Sequence, residues 1–532
     1  MSIRIDPPYR VRRRVNALFA ASVAAVILGL ALDMRATVPP AVQDAQVDRV
    51  FARWTESTPG CAVGASMNGK PVLAKGYGLA DLEHGVRITP DTIFEAGSVS
   101  KQFTAAAVLL LAREGKLSLD DQARKYIPEL PDYGMSLTIR HMLNHTSGLR
   151  DWGSVEAIAG WPRSTRVYTH AHVLEIVSRQ HALNFTPGTK WSYSNTGYNL
   201  AAIIVSRVSG MPFARFTKER LFEPLGMTHT SWRDDHTRVV PNRAVAYNDA
   251  KDGFHTDMPF EDVYGNGGLL TTVGDLLKWN QNFASPKVGD QAFVAQQLQP
   301  GKFNDGRAHT YAFGLVATNF GTRSVEHSGS TAGYSAHLMR YPDQGVSVAV
   351  LCNVTTDATP LAHDVADFYL SADVKSAMKA AIPPAPPALP DTSGGLYRHV
   401  DTGVVLTAGR PGDTWRDEGG GRLRVTDYMG TVENYTRVAA VSPSAQELKE
   451  FTGIYTSDEA ETSYQAVVQN QTLVLKRRPD TVIELKPIYE DAFDGPHLGL
   501  VIFRRDASGR VTALSVHQDR VWDLRFKRVT GS

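Results

Sequence analysis

The chain has 532 residues, 42% hydrophobic and 21% charged, with a formal net charge of +1. That is enough chain for two or three domains of ordinary globular composition. The first fourteen residues carry a net +4, so the remainder is near −3, and no global basic excess marks the protein as a nucleic-acid binder. Two cysteines, Cys61 and Cys352, exclude a disulfide-framework protein and a cysteine-rich zinc fold.

In chain order, residues 1–35 read as a targeting segment. Arg10, Arg12, Arg13 and Arg14 precede an uncharged run from Val15 to Leu32. This is a signal peptide or a signal anchor, which exports the body of the protein to the periplasm or beyond, released or held at the inner membrane. Residues 36–50 read as a helix after a Pro-Pro break. Cys61 to Met67 and Pro71 to Tyr77 alternate around Asn68-Gly69, a hairpin signal. Both cysteines lie in apolar, strand-like runs and read as buried free thiols.

Ser98-Val-Ser-Lys101 follows a glycine and runs into an alanine- and leucine-rich helix. Ser98 therefore sits at the helix start, beside backbone N–H groups and the positive end of the dipole, with Lys101 one turn on. These are the parts of an activated acyl-transfer nucleophile. A second Ser-x-x-Lys, Ser376 to Lys379, lies in a polar helical segment and reads as a solvated face. His141 and His145 have the i,i+4 spacing of zinc ligands, but no acidic residue stands between them, so no metal is expected. Helical patterns dominate from Ser98 to about Asn282. Within them are two Tyr-x-Asn boxes, Tyr193-Ser-Asn195 in a Pro-Gly turn region and Tyr264-Gly-Asn266. Strands return at 311–320, 323–326, 336–341 and 346–354. His327-Ser-Gly329 ends one of them and enters a Gly/Ser turn, whereas His497-Leu-Gly499 is a decoy. Strands at both ends of this stretch with helices between imply one antiparallel sheet flanked by helices, plus a helical lobe.

Residues 382–391 form a proline-rich linker. Beyond it, residues 392–532 read as short alternating runs, the pattern of a small antiparallel β-barrel or half-barrel. Gly395-Leu-Tyr397 and Gly453-Ile-Tyr455 mark two related units.

The ordered set Ser-x-x-Lys, Tyr-x-Asn and His-x-Gly resembles the serine hydrolases related to class C β-lactamases and penicillin-binding proteins. So do the phrases Ile139-Arg-His-Met-Leu-Asn-His-Thr-Ser-Gly-Leu149 and Gly265-Asn-Gly-Gly-Leu-Leu-Thr-Thr272. The resemblance covers roughly residues 45–370 of a hydrolase domain spanning 36–381, and the C-terminal region resembles the lipocalin-like domains of some family peptidases. In the resembled fold the first and last strands are neighbours, which leaves a Cys61–Cys352 disulfide open.

The resemblance implies that Ser98 attacks a carbonyl and becomes acylated. It implies Tyr193 as general base, Lys101 as its electrostatic partner and Asn195 as the group that orients Lys101 and the substrate. It also implies an oxyanion hole from the backbone N–H groups of Ser98 and Ser330, with His327 and Gly329 lining the third box. No cofactor is required, and the partner is a small molecule or short peptide with an amide or ester bond. Where β-lactamases usually carry lysine in the third box, this chain has His327, mostly neutral at pH 7. That departure favours a peptidase of the D-aminopeptidase or DD-peptidase type over a carboxylesterase, and both over a β-lactamase. A catalytically inactive envelope or peptidoglycan-binding protein is the reading from another class.

Overall fold

The computed structural model describes residues 40–162, 165–381, 395–407, 409, 412–427 and 429–529. Residues 1–35, expected above to be a targeting segment, and the proline-rich stretch 382–391 lie outside the described residues. Among the described residues, no helix is long and apolar enough to cross a membrane.

A helix α1 (Pro40–Val50) leads into the hairpin of β1 (Cys61–Met67) and β2 (Lys70–Tyr77). Asn68 and Gly69 at its tip both have positive φ, as the tight turn demands. After a helical region containing α2 (Lys101–Arg113), α3 (Asn195–Ser209) and α4 (Val273–Ala284), four strands follow. These are β3 (Val316–Asn319), β4 (Arg323–Thr331), β5 (Tyr334–Tyr341) and β6 (Val346–Cys352), and then comes helix α5 (Ala358–Asp367). The sheet order is β3-β4-β5-β6-β1-β2, antiparallel throughout, so the two ends of the unit meet at β6 and β1.

Alternation along the central strands sends side chains to two cores. Val63, Val348 and Val350 pack with Val47 of α1 and Leu361 of α5, while Ala62, Ala349 and Leu351 face α2 and α4. With both faces covered by helices, β5 is buried along its whole length.

Two expectations are corrected here. The cysteines are not free thiols: Cys61 and Cys352 stand directly opposite each other on β1 and β6 and form a disulfide. The third box is not a turn. Strand β4 continues through it, pairing His327 with Leu338, Gly329 with Ala336 and Thr331 with Tyr334. The chain reverses only at Ala332-Gly333.

The C-terminal region holds two β units. The first is a four-stranded sheet of β7 (Leu396–His399), β8 (Thr414–Gly419), β9 (Arg422–Thr426) and β10 (Val432–Val438). The second is a closed eight-stranded barrel running from β11 (Gly453–Ser457) to β17 (Val511–Gln518) and β18 (Val521–Arg528). The two Gly-x-Tyr phrases open the first strand of each unit. Closure removes the unpaired edges that an open sheet would expose. The barrel packs onto the helical lobe: the Tyr464 hydroxyl donates to the Ile158 carbonyl at 2.6 Å, and the Arg150 guanidinium meets the Glu459 carboxylate at 2.7 Å with both groups nearly inaccessible.

Candidate active site

Ser98 lies in a single 3-10 turn, Gly97–Ser100, that feeds α2. A buried ion pair steadies the strand leading to it, with Arg233 donating to both oxygens of Glu95 at 2.8 and 3.0 Å. Ser100, the other serine of the tetrapeptide, is structural, its hydroxyl accepting from the Leu269 N–H. Lys101 is fully buried, and its Nζ lies 3.0 Å from Ser98 Oγ, 2.9 Å from Asn195 Oδ1 and 2.7 Å from the Asn266 carbonyl. The Asn266 loop is pinned from two helices. Thr104 of α2 donates to the Gly265 carbonyl, and Asn199 of α3 donates to the Tyr264 carbonyl and to Asn266 Oδ1.

Tyr193 precedes α3, and Ser98 is close enough to its phenol to pull its pKa down against the effect of burial. Its ring packs on His145, centroid to centroid 4.2 Å, and the Lys101 ammonium nitrogen lies 4.7 Å from its centre. His145 Nδ1 accepts from the Ser194 N–H, and the His145 carbonyl accepts from Ser192, so this histidine sets the path of the second box. Asp151 completes the support, accepting from the Asn195 N–H at 2.6 Å.

Burial dominates the electrostatics. It drives the Lys101 ammonium well below its usual range, assisted by the positive charge of Arg520 and opposed by Asp151. The Tyr193 phenol is raised by burial, against the opposing pull of Ser98 and of the Arg520 charge. Both groups are thus pushed toward their neutral forms. Within a neutral pair the lysine amine is the stronger proton acceptor, and the two groups share one proton balance.

The third box closes the floor. His327 Nε2 meets the Tyr311 hydroxyl at 2.9 Å and its Nδ1 meets the Ser328 carbonyl at 2.6 Å. Burial above all pushes its pKa down to about 3, so it is a neutral imidazole. Gly97 and Gly329 let the nucleophile turn touch β4. A Cβ on Gly97 would sit 2.6 Å from the Ser330 nitrogen, and one on Gly329 would sit 2.1 Å from the Ala96 carbonyl oxygen and 2.9 Å from the Ser98 nitrogen. The backbone amides of Ser98 and Ser330 therefore flank the same crevice.

The roof comes from the barrel. The β17–β18 hairpin, with Asp519-Arg520 at its tip, reaches over Tyr193, and the Arg520 guanidinium carbon stands 4.8 Å from the centre of that ring. The tip is tied down through its main chain. Asp151 N–H and Asn184 Nδ2 donate to the Arg520 carbonyl at 3.1 and 3.0 Å, the Trp522 N–H donates to Asn184 Oδ1 at 2.8 Å, and Ser192 Oγ donates to the Asp519 carbonyl at 3.3 Å. Asp151 thus joins roof and floor, its N–H to the hairpin and its carboxylate to the second box.

The structure brings Ser98, Lys101, Tyr193, Asn195, His327, Gly329 and Ser330 together. The decoys fall elsewhere: Ser376 and Lys379 are exposed on a helix, and His497 lies in the barrel. Tyr264 packs against His170 and Phe213, yet the main chain of its box supplies Lys101 with the Asn266 carbonyl. Sequence reasoning missed Asn266, Asp151 and Arg520, and it gave His145 no part in the site. His145 and Asn266 each lie within a phrase singled out above, which was a usable signal; Asp151 and Arg520 carry none. His141 and His145 have separate structural tasks, since His141 Nδ1 accepts from the Thr138 N–H at a helix start. Among the described residues, Glu326, His337 and His363 cluster closely enough to share a metal ion. Their contacts at 3.2 and 3.1 Å are equally those of a carboxylate taking two imidazole hydrogen bonds.

Comparison with known proteins gives the same picture. A penicillin-binding protein of Bacillus subtilis is 31% identical over 312 residues, covering 55% of this chain and 68% of that protein. A D-aminopeptidase of Brucella ovis is 24% identical over 522 residues, covering 88% and 96%. Among solved structures, the octameric penicillin-binding protein homologue from Pyrococcus abyssi superposes with a TM-score of 0.57 at 21% identity, covering 92% of this chain and all of that one. The D-amino acid amidase from Ochrobactrum anthropi gives 0.51 at 23% identity over 64% of this chain and 99% of its own. Residues 44–369 match the Beta-lactamase family along their length, and the chain is a serine hydrolase belonging to that family.

Proposed function

We propose that this protein is a serine peptidase that cleaves short peptides containing D-amino acids through an acyl-enzyme on Ser98. The observation that carries the reading is the setting of Lys101. A buried neutral amine has two N–H donors for two oxygens that can only accept, Asn195 Oδ1 and the Asn266 carbonyl. Its lone pair is left facing Ser98 Oγ at 3.0 Å. Ser98 attacks the substrate carbonyl as its proton passes to the Lys101–Tyr193 pair, which titrates as a unit. The Ser98 and Ser330 amides hold the oxyanion, the pair returns the proton to the departing amine, and water then releases the acid.

The preference for peptides is supported by the D-aminopeptidases that match over nearly their whole length. It is supported also by His327, whose neutral ring gives the third box no fixed cation. The hairpin roof shortens the cleft, which suits small substrates. The arginine cluster before residue 15, the apolar run after it and the Cys61–Cys352 disulfide support an exported protein, since disulfides persist in oxidising compartments.

The test is a panel on the purified chain: the p-nitroanilides of D-phenylalanine and L-phenylalanine, each with its amine free and N-acetylated, p-nitrophenyl acetate and nitrocefin, each with a Ser98→Ala control. Serine-dependent turnover fastest on a D-anilide supports the reading. Turnover confined to the acetate ester, or to nitrocefin, overturns it.

A further inference from the structure

We propose that Arg520 makes the roof of this cleft an anion-recognition site, so that the enzyme selects substrates carrying a carboxylate close to the scissile bond. The inference rests on the acyl-enzyme reading of Ser98 and goes beyond it to the charge of the substrate.

Three observations carry it. First, Arg520 is the cation that overlooks the reacting groups, with its guanidinium over the Tyr193 ring. Second, it is held without being neutralised. Its backbone carbonyl takes two hydrogen bonds and its neighbours take two more, so the tip is fixed through main chain while the side chain is left to face the cleft. Among the described residues, no carboxylate lies within ion-pair distance of the Arg520 guanidinium. Three nearby acids are committed elsewhere, Asp151 to the Asn195 N–H and to Ser154, Glu459 to Arg150, and Asp523 to Arg504 and Arg525, while Asp519 beside it on the tip is exposed and makes no ion pair with it. Third, the floor offers the substrate no competing cation, because Lys101 is fully buried with its Nζ closed in by Ser98, Asn195 and Asn266, and His327 is a neutral ring bonded to Tyr311.

Guanidinium is charged at every accessible pH and presents a planar fork of donors that matches a carboxylate. Half-buried above an aromatic face, it attracts an anion more strongly than a solvated surface arginine does. The same charge repels the protonated free amine of an unblocked peptide. The geometry therefore favours peptides ending in a carboxylate, or acyl groups bearing one, over peptides with a free N-terminus.

The experiment uses the full chain and matched substrates differing only in charge. The first set is succinyl-, acetyl- and free-amine D-phenylalanine p-nitroanilide; the second is N-acetyl-D-alanyl-D-alanine against its C-terminal amide. In at least one set the carboxylate member should exceed the neutral member in kcat/KM by about 10- to 100-fold, the scale of a hydrogen bond to a charged group. Arg520→Ala should erase that ratio, Arg520→Lys should keep part of it, and Arg520→Glu should turn it toward the free amine. Because the hairpin is anchored through backbone atoms, these variants retain its docking. Calorimetry on Ser98→Ala, with and without Arg520→Ala, reads the same charge preference as binding of N-acetyl-D-alanyl-D-alanine and its amide. That separates this proposal from the acyl-enzyme reading, which fluorophosphonate labelling of Ser98 tests on its own. No anion preference in either set or in binding overturns the proposal. So does an equal loss on charged and neutral members in Arg520→Ala, which would mean that Arg520 acts only on the Tyr193–Lys101 pair.

Discussion

The floor and the roof of the cleft come from opposite ends of the chain and differ in electrical character. The floor, built from Ser98, Asn195, Lys101, Tyr193 and His327, holds its three titratable groups, Lys101, Tyr193 and His327, where burial drives them toward neutrality. The roof carries Arg520, whose guanidinium is a fixed cation. Neutral groups in a dry pocket are suited to passing a proton, whereas a fixed cation at the mouth is suited to choosing what enters. Bond cleavage and substrate choice are thus separable in this molecule, and each prediction below bears on that division.

The largest effect falls on the floor. Ser98→Ala should lower kcat by at least about ten-thousandfold, the scale seen when a nucleophile is deleted. Ser376→Ala, on an exposed helix, should leave turnover as it was. A comparable loss from both would dissolve the distinction between the two Ser-x-x-Lys copies.

Next comes the joint between floor and roof. Arg150→Ala would strand the Glu459 carboxylate in the buried interface, and breaking such a pair removes about 3 to 5 kcal/mol. Chemical denaturation should show that loss, with the barrel separating before the hydrolase unit. Unchanged stability would mean that the roof is not held by this contact.

Tyr193→Phe should cut turnover by about a hundredfold or more, as loss of an acid–base group does. Tyr264→Phe should cost less, because the second Tyr-x-Asn box contributes its main chain and not its phenol. Equal losses would erase the difference between the two boxes.

Smaller effects appear in the pH profile. Arg520 lowers the pKa of both Lys101 and Tyr193, so Arg520→Ala should raise both. The rising limb of kcat/KM, set by loss of the Lys101 proton, then moves to higher pH, and so does the falling limb. A shift to lower pH would contradict the placement of the guanidinium. His327, with its pKa pushed down to about 3, should show no titration near its ordinary value of about 6.5 when followed by NMR.

The parts legible in the sequence were the local ones. Asn68-Gly69 forces a tight turn, and Ser98 and Lys101 share a helix face by spacing alone. The Pro-Gly context of Tyr193 sets it apart from Tyr264. The third box misled because glycine and serine read as a turn. Gly329 is instead required in mid-strand, where the Ala96–Ser98 backbone leaves no room for a Cβ. The cysteine pair depended on register between β1 and β6, which no local pattern encodes. Asn266 acts through its carbonyl, invisible to any reading of side chains. Arg520 sits in an ordinary two-residue turn more than 300 residues from the tyrosine it covers, and only the docked barrel brings the two together.

The division between floor and roof is tested most directly by mapping a fluorophosphonate adduct by mass spectrometry on the full-length protein and on Arg520→Ala, each at the plateau of its own pH profile. A single adduct on Ser98 in both proteins is the result this account predicts. An adduct on any other residue, or none on a folded Arg520→Ala protein, would contradict it, because the bond-breaking groups would then lie outside the floor or depend on the roof.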